Sequence, residues 1–381
     1  MMFVNMRRIR KCKVLQIILM CLATSMIMMY WEQLDNKIVT HVKSYTYRYF
    51  PNSFKFINAS FRVSPKEAIK FSNHRYIINQ QRKCVKRDIL LLLFVKSSTE
   101  NFGRRQAIRS TWGNEAYIER TLGVTVKVLF AVGLHPEPQQ RRTLQLQLFF
   151  EDQIYHDLIQ QDFIDSFHNL TLKLLLQLGW KETFCRHAQF LMSADDDVFV
   201  HIPNLVHYLQ GIARSNAEDL WIGRVHSGSP PERDKKSKYY VSRDMYPWMS
   251  YPDYTPGSGY VLSKGVATKI YQASLTLNAS LHIDDVFLGI CAKMLGISPK
   301  NHLFFSGEGK APYHRCIYNQ MMTSHGHVRD IFEMWNLATE PDVGQMSSGL
   351  FWRLYCTMVK VRLLCIPFSS VSYPCKAAFW T

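Results

Sequence analysis

Three consecutive carboxylates, Asp195-Asp196-Asp197, stand between two apolar runs, Phe190–Ala194 and Val198–Val200. Adjacent carboxylates at the end of a buried strand repel one another unless a cation neutralises them. The ends of parallel strands are also where α/β sheets bind ligands. Hard oxygen ligands suit Mg²⁺ or Mn²⁺, and such ions bridge to phosphates. A second acidic pair, Asp284-Asp285, opens the run Val286-Phe-Leu288. A carboxylate there could serve as the base that activates an acceptor hydroxyl, or could simply cap a helix N-terminus.

Arg104, Arg105 and Arg109 follow the first apolar strand-like run. Guanidinium forks match phosphate oxygens, and on a helix Arg105 and Arg109 share a face. Lys238-Tyr239-Tyr240 and the stretch from Tyr251 to Tyr260, which holds Tyr254, Gly257 and Gly259, combine aromatic faces with glycines. Such a stretch suits stacking on a sugar or base with close backbone approach. His325-Gly-His327 offers a further metal ligand, with the choice between the two histidines open.

Elements must bring these groups together. Asp88–Val95 is a continuous apolar run bounded by charge, which predicts a strand buried on both faces. Val124–Val132 and Phe190–Ala194 read the same way. Helical spacing lies between them at Arg104–Thr111 and Gln139–Gln161, and Ser166–Leu178 reads as an amphipathic helix. Strands alternating with helices indicate an α/β fold on a parallel sheet.

Composition sets the frame. Of 381 residues, 47% are apolar and 20% charged, which excludes a fibrous, disordered or multi-span chain. The net charge of +16 is concentrated in the N-terminal arm. Residues 1–31 hold five Lys/Arg and no acid, and residues 32–88 hold a surplus of eight cations. The remaining 293 residues carry a surplus of only three, so the charge gives no nucleic-acid-binding face. Arg7, Arg8, Arg10, Lys11 and Lys13 precede an uncharged run from Val14 to Trp31. Its length and flanking cations predict an uncleaved signal-anchor with the N-terminus in the cytosol. The predicted organisation is a cytosolic tail (1–13), a transmembrane helix (14–31), a lumenal stem (32–87), a catalytic domain (88–330) and a C-terminal extension (331–381). Aromatic residues from Tyr45 to Phe56 predict that part of the stem packs on the domain. Asn58, Asn169 and Asn278 head glycosylation triplets. Seven cysteines fall after the span, so three disulfides and one odd thiol is the simplest count. In Leu350–Cys365, Leu354, Met358, Val361 and Cys365 share one helical face and Arg353 and Lys360 another. Three cations argue against a second span and fit an amphipathic helix, either packed or lying in a membrane interface.

Arg-Arg-x-x-Ile-Arg-x-Thr-Trp at 104–112, Glu151-Asp-x-x-x-x-Asp157, the Asp triplet, the 251–260 stretch and Asp-Asp-Val at 284–286 together resemble the signature of the Golgi β1,3-glycosyltransferases, in that family's order. The likeness covers about residues 88–330. It implies a GT-A type nucleotide-diphospho-sugar transferase domain in a single-pass type II Golgi membrane protein, with the catalytic domain in the lumen. It implies Mn²⁺ held by Asp197 and His325, and Asp195 and Asp196 facing the nucleotide. Asp285 takes the position of the catalytic base, and the family's usual Glu at 284 is Asp here. Arg104, Arg105, Arg109 and Lys238 are the expected cations around the diphosphate. The segments Tyr45–Tyr49, Trp221–His226, Phe304–Lys310 and Tyr373–Phe379 resemble members that use UDP-N-acetylglucosamine and the glycolipid lactosylceramide. A UDP-galactose-dependent member shares every motif, while a metal-dependent phosphoesterase and a non-catalytic glycan-binding protein are readings from other classes. A homo-oligomer, or association with other Golgi glycosyltransferases, is compatible with the odd cysteine.

Overall fold

The computed structural model describes residue 13 and residues 15–24, 74–85, 88–214, 219–277, 281–307, 309–311, 313–340 and 349–364. The predicted anchor lies partly outside them: 15–24 form an exposed helix, and no helix among the described residues is long and apolar enough to cross a membrane. The stem aromatics, Asn58, Asn278, Cys365 and Cys375 also lie outside the described residues.

In chain order the elements are β1 (Tyr76–Ile78), β2 (Leu91–Lys96), α1 (Phe102–Ser110), α2 (Glu115–Leu122), β3 (Val126–Leu134), α3 (Pro138–Tyr155), β4 (Leu158–Ile164) and α4 (Leu170–Phe184). They continue with β5 (Phe190–Asp195), β6 (Val198–Val200), α5 (Ile202–Arg214), β7 (Trp221–Gly223), β8 (Tyr260–Ser263), α6 (Lys264–Ser274) and α7 (Asp284–Met294). The chain closes with β9 (Lys300–Asn301), α8 (Arg315–Tyr318), β10 (Thr323–His325), α9 (Ile331–Thr339) and α10 (Leu350–Leu364).

Eight strands form one sheet in the order β1-β4-β3-β2-β5-β8-β7-β9. The central four, β4-β3-β2-β5, are parallel, while β1 and β8 join antiparallel. Every residue of β2 is buried. Leu91, Leu93 and Val95 enter one apolar layer, and Leu92 and Phe94 the other. That alternation explains why the run carries no polar period: a strand covered on both faces has no solvent side. Ile108 of α1, Ile118 of α2 and Leu205 of α5 fill the first layer, and Leu174 of α4, Ile270 of α6 and Phe287 of α7 the second.

Two elements depart from the sequence reading. The helix read as Gln139–Gln161 ends at Tyr155, because His156 takes the left-handed conformation (φ 50°) and closes it. Leu158–Ile164 then enters the sheet, and Gln160 is buried with its amide donating to the Gly133 carbonyl. The Ser166–Leu178 segment begins as a 3₁₀ turn and continues as α4 to Phe184, buried on most of its surface rather than amphipathic. Its Lys181 is buried against Glu182.

Residues read as stem and as C-terminal extension also enter the packed domain. β1 pairs with β4, Cys84 forms a disulfide with Cys185, and Ile331, Met334 and Ala338 of α9 join the core. A second disulfide links Cys316 to Cys356, while Cys291 is a buried free thiol whose pKa burial pushes up.

Behind the sheet's carboxyl edge, Glu151 receives Arg105 Nε and Nη2 at 2.7 Å each and Arg109 Nη2 at 2.6 Å. Asp157 takes Arg109 Nε and Nη2, both at 2.8 Å. Arg105 is fully buried, so losing its carboxylate would strand a charge in a low dielectric. Glu151→Ala is expected to reduce unfolding free energy by about 3–5 kcal/mol, read by urea denaturation. A change under about 1 kcal/mol would mean that the cluster contributes no more than a surface pair.

Candidate active site

Most of the residues singled out by type converge on one cleft of about 1060 Å³ at the carboxyl ends of β2 and β5. Asp195 ends β5, and Asp196 and Asp197 form the tight turn into β6. The turn is pinned through its backbone: Asp195 N–H donates to Gly257 O, Asp196 N–H to Lys96 O, and His327 N–H to Asp197 O.

The three carboxylates have different partners. Asp196 is buried and accepts from Ser97 Oγ at 2.7 Å, Asn101 Nδ2 at 2.8 Å and Arg104 Nη1 at 2.7 Å. It is an organising group whose acceptor sites are largely used. Asp195 lies 3.0 Å from Lys96 Nζ, which also donates to Asp284 Oδ2 at 2.9 Å. Burial raises the Asp195 carboxyl above its ordinary range against the pull of Lys96, and Asp284 adds to the rise. Burial also works against the Lys96 charge, but Asp195 and then Asp284 outweigh it and hold the ammonium well above its usual pKa. Asp197 Oδ1 is 3.4 Å from His325 Nε2 and otherwise buried without a hydrogen bond. Burial opposes its ionisation, yet His325 and Arg104 hold it below the ordinary carboxylate value.

Asp284 and Asp285 open α7. Asp285 accepts the Val286 N–H at 2.7 Å. Desolvation, then the neighbouring Asp284, push its carboxyl up to about 7, with Lys96 pulling the other way. A carboxylate in that range is suited to general-base work near neutral pH.

Arg104 and Lys238 line the cleft, the latter with Nζ 5.2 Å from the Phe167 ring centroid. Arg105 and Arg109 do not. The reading of all three arginines as phosphate ligands is corrected here, because Glu151 and Asp157 take up the other two guanidinium groups. Arg105 still acts on the site indirectly, as its Nη1 donates to Ser97 Oγ at 3.1 Å and to the Ser98 carbonyl. Of the two histidines, His325 lines the cleft, whereas His327 is buried with its ring 2.6 Å from Ser324 Oγ and 3.3 Å from Asp330. Asn169 is part-exposed, its amide donates to Ile164 O at 2.8 Å, and the Thr171 hydroxyl donates to Leu281 O.

Tyr251, Tyr254 and Gly257 also line the cleft, and Tyr254 stacks on His226 at 5.2 Å between centroids. A Cβ at Gly257 would stand 2.5 Å from Asp195 Oδ2 and 3.0 Å from Lys96 Nζ, so a side chain there would have to displace the pair. Sequence reasoning missed Lys96, Ser97, Asn101 and the pair Lys173–Asp165 (2.6 Å). A signal existed for Lys96: a lone cation ends a strand otherwise buried on both faces, and such a charge requires a partner.

Lys96→Met is expected to lower the melting temperature of the metal-free protein by about 10 °C at pH 8. A carboxyl raised in the folded state costs stability above its unfolded pKa, so the loss should shrink towards pH 5 as Asp195 takes up its proton. Thermal denaturation at the two pH values checks this, and an equal loss at both would contradict the assigned network.

The family model described as galactosyltransferase matches residues 103–303. The chain is 72% identical over 366 residues, 96% of each chain, to lactosylceramide 1,3-N-acetyl-beta-D-glucosaminyltransferase B of Danio rerio. It is 53% identical over 379 residues, 99% of each chain, to the lactosylceramide 1,3-N-acetyl-beta-D-glucosaminyltransferase of Homo sapiens. The matched region contains the Asp triplet, Lys96's partner Asp284, and Asp285, and the chain belongs to the galactosyltransferase family.

Proposed function

We propose that this chain transfers N-acetylglucosamine from UDP-N-acetylglucosamine, in β1,3 linkage, to the terminal galactose of lactosylceramide. The observation that carries the reading is the placement of Asp285 in the same cleft as the Asp195–Asp197 cluster. The names of the full-length relatives support the donor and acceptor.

In this reading Asp285 takes the proton of the galactose 3-hydroxyl. The hydroxyl oxygen forms its bond to C1 of the donor sugar as the C1–O bond to UDP breaks on the opposite face. The α-linked donor thereby gives a β-linked product, without a covalent enzyme intermediate. Arg104 and Lys238 bring positive charge to the diphosphate, and Tyr251 and Tyr254 offer faces to the sugars. Asp197 and His325 present an oxygen and a nitrogen donor side by side, a set that fits Mn²⁺. No cluster of three or more such side chains occurs among the described residues, and Asp197 and His325 are the residues that would hold the ion. Bound there, the ion would neutralise charge on the departing UDP. The basic segment 7–13 and apolar run 14–31 support anchoring as a type II protein in the Golgi membrane, with the cleft in the lumen.

The test is transfer by the purified full chain to lactosylceramide, with UDP-N-acetylglucosamine and UDP-galactose offered separately, with and without Mn²⁺. Galactose transfer alone would overturn the donor assignment. Asp285→Asn should lower kcat by about 10²–10⁴-fold while UDP binding, followed by calorimetry, persists. In the unaltered chain kcat/KM should fall as pH drops through about 7, because the base is then protonated. A flat profile from pH 5 to 8 would remove Asp285 from that role. His325→Ala should weaken Mn²⁺ binding in the presence of UDP by at least about tenfold. His327→Ala should instead lower the melting temperature with little change in metal affinity.

A further inference from the structure

The C-terminal helix α10 is held to the domain at one side and left open at the other. Cys356 is buried and disulfide-bonded to Cys316, and the Tyr355 hydroxyl lies 3.4 Å from His314 Nε2. Phe351 is 88% exposed, Leu354 56% and Met358 65%, with Tyr355 beside them. These positions follow i, i+3, i+4 and i+7 spacing, which places them on one helical face. Apolar residues at such exposure on a disulfide-fixed helix mark an interaction surface.

The charge pattern identifies the occupant. The α10 sequence holds Arg353, Lys360 and Arg362 and no acidic residue, and Arg353 is exposed. Phe351, Trp352 and Tyr355 are of the amphipathic and aromatic types that settle at a lipid headgroup boundary. A second copy of the same helix would bring like charges together. A lipid headgroup boundary, where apolar faces bury and cationic side chains reach the headgroup phosphates, meets both features at once. The described part of the helix, Leu350–Leu364, carries three cations, which argues against a span, so it lies on the membrane and not across it. We propose that α10 docks its Phe351/Leu354/Met358 face into the membrane interface. The covalent link gives this docking a consequence for the site. Cys316 belongs to the same stretch of chain, 307–325, that supplies Gly307 and His325 to the cleft. Docking therefore holds the cleft at a fixed relation to the bilayer in which a glycolipid acceptor resides, a consequence that rests on the acceptor reading above.

Two arms test this with the full chain reconstituted in phosphatidylcholine vesicles. In the first, with no glycolipid present, Phe351 is replaced by the photocrosslinker p-benzoylphenylalanine. As a comparison, the same group replaces Phe150, which is 65% exposed on α3 beside the acidic Glu151 and Asp152. Phospholipid adducts at 351 and not at 150, detected by mass spectrometry, are expected. Adducts at neither position, equal adducts at both, or a protein–protein crosslink from 351 would overturn the docking. In the second arm, Leu354→Glu with Met358→Glu should lower kcat/KM for vesicle-borne lactosylceramide by about tenfold or more, with free lactose within about twofold of the unaltered chain. An equal fall for both acceptors would count against docking. Failure of the unaltered chain to use either acceptor would sink the acceptor reading, and the crosslinking arm would then decide the docking alone.

Discussion

A single buried ammonium joins the parts of the cleft. Lys96 ends the central strand, Asp195 ends the neighbouring one, and Asp284 begins a helix almost two hundred residues further along the chain. Asp284 is buried and would be costly to bury alone, and Asp195 stands part-exposed beside the same cation. Placed around one cation at 2.9–3.0 Å, they fix the strand ends against the start of α7. Gly257 completes the arrangement by letting the loop before β8 approach where a side chain would collide.

Charge pairs are arranged in two tiers behind and within the cleft. Glu151 binds Arg105, Arg105 holds the Ser97–Thr99 loop, and Ser97 donates to Asp196. That relay fixes the middle residue of the triplet and so divides the work among three identical side chains. Asp196 is occupied by the protein itself. Asp197 keeps a buried oxygen without a hydrogen bond beside an imidazole. The same logic separates the later pair: Asp284 is committed to Lys96, while Asp285 is left in a desolvated position where ionisation is costly.

Much of this was legible in the residues. The apolar runs marked β2, β3 and β5 because strands covered on both faces carry no polar period. The Asp triplet was legible as a strand-end site for the same reason. Helix ends were read less well, since Leu158–Ile164 carries buried glutamines whose amides find partners only in the assembled sheet. The three arginines could not be told apart by type. What separates Arg104 from Arg105 and Arg109 is that Glu151 and Asp157, more than forty positions away, reach only the latter two. The surroundings of His325 and His327 differ likewise in a way sequence does not show, since Ser324 and Asp330 occupy the ring of His327.

The 188-position separation between Lys96 and Asp284 also bears on how the protein comes to be folded. Contacts this distant in sequence form only after the loop-closure entropy of the intervening chain has been met, and parallel strands delay them further. During synthesis β2 and β5 leave the ribosome long before α7, so Lys96 and Asp195 meet first and Asp284 arrives last. The cleft is therefore assembled late in folding, and a chain truncated before residue 284 would lack the third partner of the Lys96 cluster.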